Sequence, residues 1–171
     1  MGRRQVHHRT SGGTLVTGLQ GARGATEHAT AIIVGETGIL FVGSSGAGKS
    51  AMAFACLSSA RSLGWNAALI ADDRTCLEVR AGRCIASCPE PIRGMIELRG
   101  SGIATYRRVR RGVVHLVVAP AAASADSRLP ESGETFPCRG VVLPLQRMWH
   151  DGAVDPLSAL RALRPDCFSV M

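Results

Sequence analysis

AIIVGETGILFVGSSGAGKS, residues 31–50, is the stretch that decides the fold of this chain. Two short apolar runs, 31–34 and 39–42, flank four turn-forming residues, and this arrangement predicts a β-hairpin. The second run leads directly into GSSGAGKS at 43–50, which matches the phosphate-binding loop (P-loop) pattern GxxxxGK[ST]. The residues after the loop predict a helix over 51–63. Strand, loop and helix therefore follow one another in the order that a P-loop requires.

The loop predicts a binding site for a nucleotide and Mg²⁺. Its glycines allow successive backbone N–H groups to turn inward around phosphate oxygens, and the following helix directs its N-terminus at the same anion. The ammonium group of Lys49 would reach the outer phosphates, and the hydroxyl of Ser50 would bind Mg²⁺. The residues expected to bind the nucleotide are Gly43, Ser44, Ser45, Gly46, Ala47, Gly48, Lys49 and Ser50.

Lys49 is the only lysine of the chain, since 19 of its 20 basic residues are arginines. A compact ammonium group on a flexible stem fits among phosphates, whereas a planar guanidinium group does not. The placement of the single lysine at this position therefore argues against a chance match to the loop pattern.

Two carboxylates, Asp72 and Asp73, follow the apolar run 67–71, which predicts a buried strand. A P-loop enzyme needs an acidic group to hold or relay the metal, and a kinase also needs a carboxylate near the attacking hydroxyl. Adjacent side chains on a regular strand point to opposite faces, so the two carboxylates would divide these tasks. The alternative is an ordinary pair of aspartates where a strand passes into a turn.

The composition favours one globular domain. The chain has 171 residues, of which 46% are hydrophobic, and it contains no run of 18 or more apolar residues that would predict a membrane span. Residues 1–26 carry four arginines and no acid, and we expect a flexible basic arm there, before a domain at 27–171. Six cysteines without a CxxC pair are expected to be reduced, as in a cytoplasmic protein.

The net charge of +7 leaves two interpretations open. A basic surface suits an acidic partner or a polyanion, whereas charged tails and turns are commonly just solvated. For the arm at 1–26 we favour solvation, and we expect no nucleic-acid partner. The cluster at 107–111 stays open between the two interpretations; its members are Arg107, Arg108, Arg110 and Arg111.

The remaining elements favour the α/β class with a mixed sheet, because strands and helices alternate without a strict βαβ order. A helix over 156–163 would begin at Pro156, with Asp155 as its cap. The other predicted elements are strands at 75–79, 84–87, 113–118 and 139–143, and a helical turn or strand at 92–98.

Together these residues resemble the catalytic C-terminal domain of HPr kinase/phosphorylase, a bacterial enzyme that phosphorylates a serine of the phosphocarrier HPr. The most specific matches are His28-Ala29-Thr30 with the hairpin after it, and the signature-like segment IELRGSGI at 96–103. ADD at 71–73 and ASCPE at 86–90 also match, so the resemblance covers most of 28–118. The size is similar to that of the short alphaproteobacterial form, which lacks the N-terminal domain of the longer enzymes.

The resemblance implies a P-loop kinase core like that of phosphoenolpyruvate carboxykinase, with ATP and Mg²⁺ as cofactors. It implies that Asp73, with Asp72 beside it, accepts the proton of the target serine, and that His28 tunes the charge of this carboxylate. Lys49 would hold the β- and γ-phosphates. The other residues with an implied role are Ser50 and Glu97 as metal ligands, and Arg99 as a member of the signature loop.

The same resemblance implies a partner and an assembly. The partner would be an HPr-like phosphocarrier protein of the sugar or nitrogen phosphotransferase system, and the cluster at 107–111 is a candidate for docking it. Members of the family act in the cytoplasm, and the long forms are hexamers, so we expect a homo-oligomer without a membrane partner.

Two departures from the family keep other functions open. The family usually has Glu or Asp directly after the P-loop serine, where this chain has Ala51, and the C-terminal elements tied to phosphorolysis are not recognisable. We therefore expect kinase rather than phosphorylase activity, with a catalytically degenerate ATP-binding regulatory protein as the alternative. A small-metabolite P-loop kinase is a third hypothesis, which the hairpin before the loop disfavours.

Overall fold

The computed structural model describes residues 26–121, 133–149 and 152–168. The predicted basic arm at 1–26 lies outside this part of the chain, apart from Thr26. No helix within the described ranges is long and apolar enough to span a membrane. The strands are β1 Thr26–Glu27, β2 Thr30–Val34, β3 Thr37–Phe41, β4 Ala67–Ala71, β5 Thr75–Arg80, β6 Arg83–Ser87, β7 Met95–Leu98, β8 Gly102–Thr105, β9 Arg111–Val113, β10 Leu116–Ala121, β11 Thr135–Cys138 and β12 Val141–Trp149; the helices are α1 Lys49–Ser62 and α2 Pro156–Leu163, with 3₁₀ turns at Glu90–Ile92 and Pro165–Cys167.

Six strands form a central mixed sheet in the order β11-β12-β10-β3-β2-β4. β10 runs parallel to β3 and β12, and the other neighbouring pairs are antiparallel. The predicted hairpin is β2–β3, in which Ile32 pairs with Ile39 and Val34 with Thr37. β3 leads through the P-loop into α1. The predicted α/β class, with a mixed sheet and a hairpin before the loop, is therefore confirmed.

The central sheet is apolar on both faces because both faces are covered. On one face, Ile32 lies in a buried cluster with Leu57 of α1 and Leu160 of α2. On the other face, Leu40 lies in a second cluster with Leu77, which belongs to the smaller sheet β1-β5-β6-β9. Since successive side chains of a strand point to opposite faces, strands buried on both sides are apolar at nearly every position. The continuous apolar runs of the sequence follow from this layering.

The predicted strand at 113–118 is wrong in part, because it consists of two strands in different sheets. β9 pairs with β6 in the smaller sheet, whereas β10 pairs with β3 in the central sheet. Between them, the backbone N–H of Val114 donates to the carbonyl of Cys84 and that of His115 to the carbonyl of Gly38, each at 2.8 Å. The apolar pattern continues through the crossing because both sheets are buried there.

The predicted last strand at 139–143 is wrong in its extent. Arg139 and Gly140 form the turn of a hairpin, β11–β12, and both adopt positive φ angles of 50° and 86°. Positive φ at both central residues is the geometry of a two-residue type I′ turn. β12 then runs for nine residues and pairs with β10.

The predicted C-terminal helix is confirmed as α2. The carboxylate of Asp155 accepts the backbone N–H of Ser158 at 2.8 Å and caps the helix as expected. It also accepts the hydroxyl of Ser59, which ties α2 to α1. Burial alone would raise the pKa of Asp155, but the hydrogen bonds from Ser59 and Ser158 together hold that pKa below its ordinary value.

Candidate active site

The P-loop lies at the edge of the central sheet where β3 and β4 both end. Gly43, Gly46 and Gly48 have φ angles of 149°, 81° and 90°, a left-handed region that favours glycine. Gly48 is the N-cap of α1 and has no side chain that could bond to the first N–H groups of the helix. These N–H groups therefore remain available to an anion held in the loop.

Lys49 is buried under the loop, with 5% of its surface exposed. Its Nζ donates to the carbonyl oxygens of Gly43 at 3.0 Å and Ser44 at 2.9 Å. An ammonium group has three donors, so one remains for a phosphate oxygen. Burial lowers the pKa of Lys49, while the nearby charges of Asp73 and Asp72 act in the opposite direction. A bound phosphate would also stabilise the charged ammonium.

The carboxylate of Asp72 is buried and accepts three hydrogen bonds. Oδ1 accepts from the hydroxyls of Thr30 at 2.6 Å and Ser50 at 2.7 Å. Oδ2 accepts from the backbone N–H of Glu97 at 2.9 Å. The donors come from β2, α1 and β7, so three separate elements orient this carboxylate against the P-loop hydroxyl.

Asp73 lies beside Asp72 but is open to solvent. The sequence-based expectation assumed that both residues continue a regular strand, which is wrong, because β4 ends at Ala71 and Asp73 has a φ of 61°. The side chain of Asp73 is 63% exposed, and its Oδ1 lies 2.6 Å from Nδ1 of His28. Both aspartates lie in the bend that follows β4, where Asp72 is held in a buried network and Asp73 faces solvent.

The hairpin β7–β8 brings the signature-like segment to the P-loop. Glu97 contributes its backbone N–H to Asp72, and its own side chain is exposed on the cleft. A Cβ atom placed on Gly46 would lie only 2.9 Å from Nη1 of Arg99. The guanidinium of Arg99 therefore packs against the backbone of the P-loop.

These side chains line one open cleft of about 200 Å³. Asp72 is not part of its surface, because it lies behind Ser50. Gly43, Ser44 and Ala47 of the P-loop are likewise outside the lining. The lining residues are His28, Ser45, Gly46, Gly48, Lys49, Ser50, Ala51, Asp73, Glu97 and Arg99.

The donor set suits Mg²⁺ bound together with a nucleotide. Ser50 Oγ and Asp72 Oδ1 are oxygen atoms of the kind that Mg²⁺ prefers as ligands, and they lie 2.7 Å apart. The side chain of Glu97 lies on the cleft that Ser50 lines. Within the described ranges, no three His, Cys, Asp or Glu side chains are grouped so as to hold a metal ion by themselves. Mg²⁺ usually takes one or two carboxylates and completes its shell with phosphate oxygens and water. The residues present fit that mode of binding.

Thr30 is a member of the site that the sequence analysis did not assign. Its side chain is fully buried at the start of β2, and its hydroxyl satisfies Asp72. In the sequence, Thr30 is a hydroxyl residue at the start of an otherwise apolar strand. A buried hydroxyl group needs a hydrogen-bond partner, so this position could have indicated a polar contact. That signal shows that a partner is needed, but it does not show which one.

Two of the arginines at 107–111 make contacts at different places rather than on one surface beside the cleft. Arg107 Nη1 donates to the side-chain oxygen of Asn66 at 2.6 Å, at the end of α1 that lies farthest from the P-loop. Arg108 donates to the backbone carbonyl of Arg93 at 3.2 Å, near the base of the β7–β8 hairpin. The cluster in the sequence is therefore divided between different places in the fold.

Comparisons with known proteins agree with this geometry. The family model described as HPr Serine kinase C-terminal domain matches residues 20–110, more than half of the chain. Among curated proteins, no sequence matches significantly. The fold is similar to the solved structure of the Hpr(Ser) kinase/phosphatase from Coxiella burnetii, with a TM-score of 0.64 and 22% identity over 82% of this chain and 94% of that chain. This chain belongs to the HPr serine kinase C-terminal domain family.

Proposed function

We propose that this protein is an ATP- and Mg²⁺-dependent kinase that phosphorylates a serine of an HPr-like phosphocarrier protein. The observation that carries the proposal is the separation of two adjacent carboxylates, Asp72 held beside Ser50 and Asp73 open to the cleft beside His28. Phosphoryl transfer to a hydroxyl needs both a metal-holding group and a proton acceptor. The family to which the chain belongs supports a serine of an HPr-like protein as the acceptor.

The nucleotide would bind through its phosphates at the P-loop. Backbone N–H groups at the start of α1 would surround the β-phosphate, and the free donor of Lys49 would reach the γ-phosphate. Ser50 and Asp72 would hold Mg²⁺, with Glu97 as a further oxygen donor. When bound there, the metal neutralises charge on the β- and γ-phosphate oxygens.

The transfer step places Asp73 as the proton acceptor. The oxygen of the target serine forms a bond to the γ-phosphorus while the bond to the oxygen shared with the β-phosphate breaks, and ADP leaves with that electron pair. A carboxylate oxygen of Asp73 accepts the proton of the serine hydroxyl. Contact with His28 through Oδ1 orients this carboxylate and leaves its second oxygen for the hydroxyl. Arg99, packed beside Gly46, lies close enough to the loop to stabilise the transferring phosphoryl group.

A transfer assay tests this proposal. The protein is incubated with ATP labelled in the γ-phosphate, Mg²⁺ and the HPr-like carrier of its host, and we expect label on a carrier serine. Asp73→Asn should lower the rate at least about 100-fold, because a positioned general base contributes about 10²–10⁴. Asp166→Asn is the matched control, since Asp166 pairs with Arg164 outside the cleft and should not affect transfer.

The outcomes separate the three hypotheses. ATP binding without label on any carrier serine would refute the kinase and favour an ATP-binding regulatory protein. Rapid transfer to a small hydroxylated metabolite instead of the carrier would favour a metabolite kinase. An unchanged rate in Asp73→Asn would remove that residue from the role of base. We expect little reverse reaction when inorganic phosphate and the phosphorylated carrier replace ATP and the carrier.

A further inference from the structure

Three arginines converge at the end of α1 that lies farthest from the P-loop. Arg61 is in the last turn of α1, Arg161 is in the last turn of α2, and Arg107 lies on the segment before β9. Arg61 and Arg107, together with Trp65, line a cavity of about 340 Å³. Arg161 reaches the same place, because its guanidinium stacks on the ring of Trp65.

None of these three guanidinium groups is paired with a carboxylate in the part of the chain that the structure describes. Cζ of Arg161 lies 4.5 Å from the centroid of the Trp65 ring, and Cζ of Arg61 lies 5.6 Å from the centroid of a tyrosine ring. Arg107 donates at 2.6 Å to Asn66, whose side-chain oxygen is neutral. Within the described ranges, two guanidinium groups therefore line the cavity and a third stacks on its tryptophan, with only aromatic rings and an amide as partners.

The helix dipole explains only part of this arrangement. Cations in the last turn of a helix stabilise it, which accounts for Arg61 and Arg161. Arg107 belongs to neither helix, so the dipole gives no reason for its position. Four other arginines are paired with acids, whereas several more within the described ranges, such as Arg74, Arg83 and Arg110, are not. The distinguishing feature of Arg61, Arg107 and Arg161 is therefore that they come together at one cavity. The four acid pairs are Arg80–Glu78, Arg93–Glu90, Arg147–Glu134 and Arg164–Asp166.

We propose that this cavity is a second binding site, independent of the P-loop, for a small molecule that carries phosphate or carboxylate groups. Guanidinium forks bind both kinds of oxyanion through paired N–H donors. Arg61 and Arg107 line a cavity, with Arg161 beside it on Trp65, and its size is typical of small-molecule sites, about 300–1,000 Å³. The cation–π contacts orient Arg61 and Arg161 in advance and so reduce the entropy that is lost on binding.

The site is separate from the nucleotide cleft. α1 has 14 residues and begins at Lys49. At about 1.5 Å per residue, the helix places about 21 Å between its two ends. An anion bound near Arg61 therefore does not touch the P-loop, and the inference does not depend on the kinase activity proposed above.

The fluorescence of Trp65 provides a direct test. The chain has two tryptophans, Trp65 and Trp149, so Trp149→Phe leaves one reporter beside the cavity. This protein is titrated with pyrophosphate and, separately, with citrate, while NaCl keeps the ionic strength constant. We expect a saturable change with at least one probe, and the stronger of the two shows whether phosphate or carboxylate is preferred.

Substitutions then locate the binding. Arg107→Gln should raise the dissociation constant at least about tenfold, because it removes a charge-assisted contact. Arg107 is exposed and its one side-chain bond within the described residues is to Asn66, so the variant should fold; circular dichroism checks this, and Arg61→Gln is a second variant. Arg80→Gln removes the same charge at a distant site and should have no effect.

The proposal fails under any of four results. These are the absence of a saturable change with both probes, an equal change produced by NaCl alone, an equal loss of affinity in Arg80→Gln, and retention of full affinity in folded Arg107→Gln and Arg61→Gln. Lys49→Ala separates the two sites, because it should leave the Trp65 response intact. A response that disappears in Lys49→Ala would be a fifth result against the proposal, because it would assign the anion to the P-loop instead.

Discussion

Thr30 and Asp72 allow the hydrogen-bond network behind the P-loop to be tested by a double-mutant cycle. The hydroxyl of Thr30 is fully buried and donates to Oδ1 of Asp72 at 2.6 Å. Thr30→Val removes this donor and keeps the shape of the side chain. Asp72→Asn keeps the shape of the acceptor and removes its charge, so each change affects one partner of the bond.

The magnitude follows from the charge of the acceptor. A hydrogen bond to a charged group contributes about 1.5–3 kcal/mol, and one to a neutral group about 0.5–1.5 kcal/mol. Thr30→Val should therefore lower the free energy of unfolding by about 1.5–3 kcal/mol in the wild type and by about 0.5–1.5 kcal/mol in Asp72→Asn. The expected coupling energy is about 1 kcal/mol.

Equilibrium urea unfolding of the four proteins measures this coupling. Thr75→Val is a matched control, because Thr75 is also a fully buried threonine and its hydroxyl donates at 2.6 Å to the neutral carbonyl of Ala29. Thr75→Val should lower the free energy of unfolding by the same amount in the wild type and in Asp72→Asn. If Thr30→Val lowers the free energy of unfolding equally in the wild type and in Asp72→Asn, the claim that this hydroxyl stabilises the charge of Asp72 is refuted.

Further predictions concern Lys49 and the cap of α2. Lys49→Ala should abolish binding of ATP with Mg²⁺, measured by calorimetry, because it removes the buried cation of the loop. Burial lowers the pKa of Lys49 on folding, so the charged lysine lowers the free energy of unfolding. This destabilisation is complete at pH values below the pKa of the folded state. It disappears as the pH rises from that pKa to 10.5, the ordinary pKa of lysine. The stability of the wild type relative to Lys49→Met, from urea unfolding at each pH, should therefore increase over this interval. Asp155→Ala should lower the free energy of unfolding by about 0.5–2 kcal/mol at neutral pH, because it removes the cap of α2. The pKa of Asp155 is lowered on folding, so this contribution is present above pH 3.8 and is lost as the pH falls through the lower, folded value; acid titration of both proteins checks this.

The backbone around the P-loop could be predicted from the sequence because its determinants are local. The hairpin, the P-loop and α1 are each specified by residues a few positions apart, and the strand predicted at 67–71 is β4 with the same bounds. The resemblance to HPr kinase is confirmed by the family match. The roles assigned to His28, Asp73 and Arg99 remain predictions, although the structure places all three on one cleft.

The sequence could not reveal features that arise where distant segments meet. The run at 113–118 looks like one strand because both of the sheets that it joins are buried, and only the pairing partners reveal the crossing. The left-handed backbone at Asp73 was also missed, because aspartate adopts that conformation only where its surroundings require it. The regular-strand argument therefore predicted correctly that the two carboxylates diverge, but for the wrong reason.

By itself, the sequence determined a glycine-rich loop with the single lysine of the chain, the hairpin that precedes it, and a capped C-terminal helix. These features depend on glycine conformation, on hydrophobic periodicity and on a capping side chain, all of which act over a few residues. Only the tertiary structure decided which groups satisfy Asp72, since its three donors lie 42, 22 and 25 residues away along the chain. It also decided that Arg61, Arg107 and Arg161 meet around Trp65. Such contacts form when packed layers bring separate elements together, and no local pattern specifies that geometry.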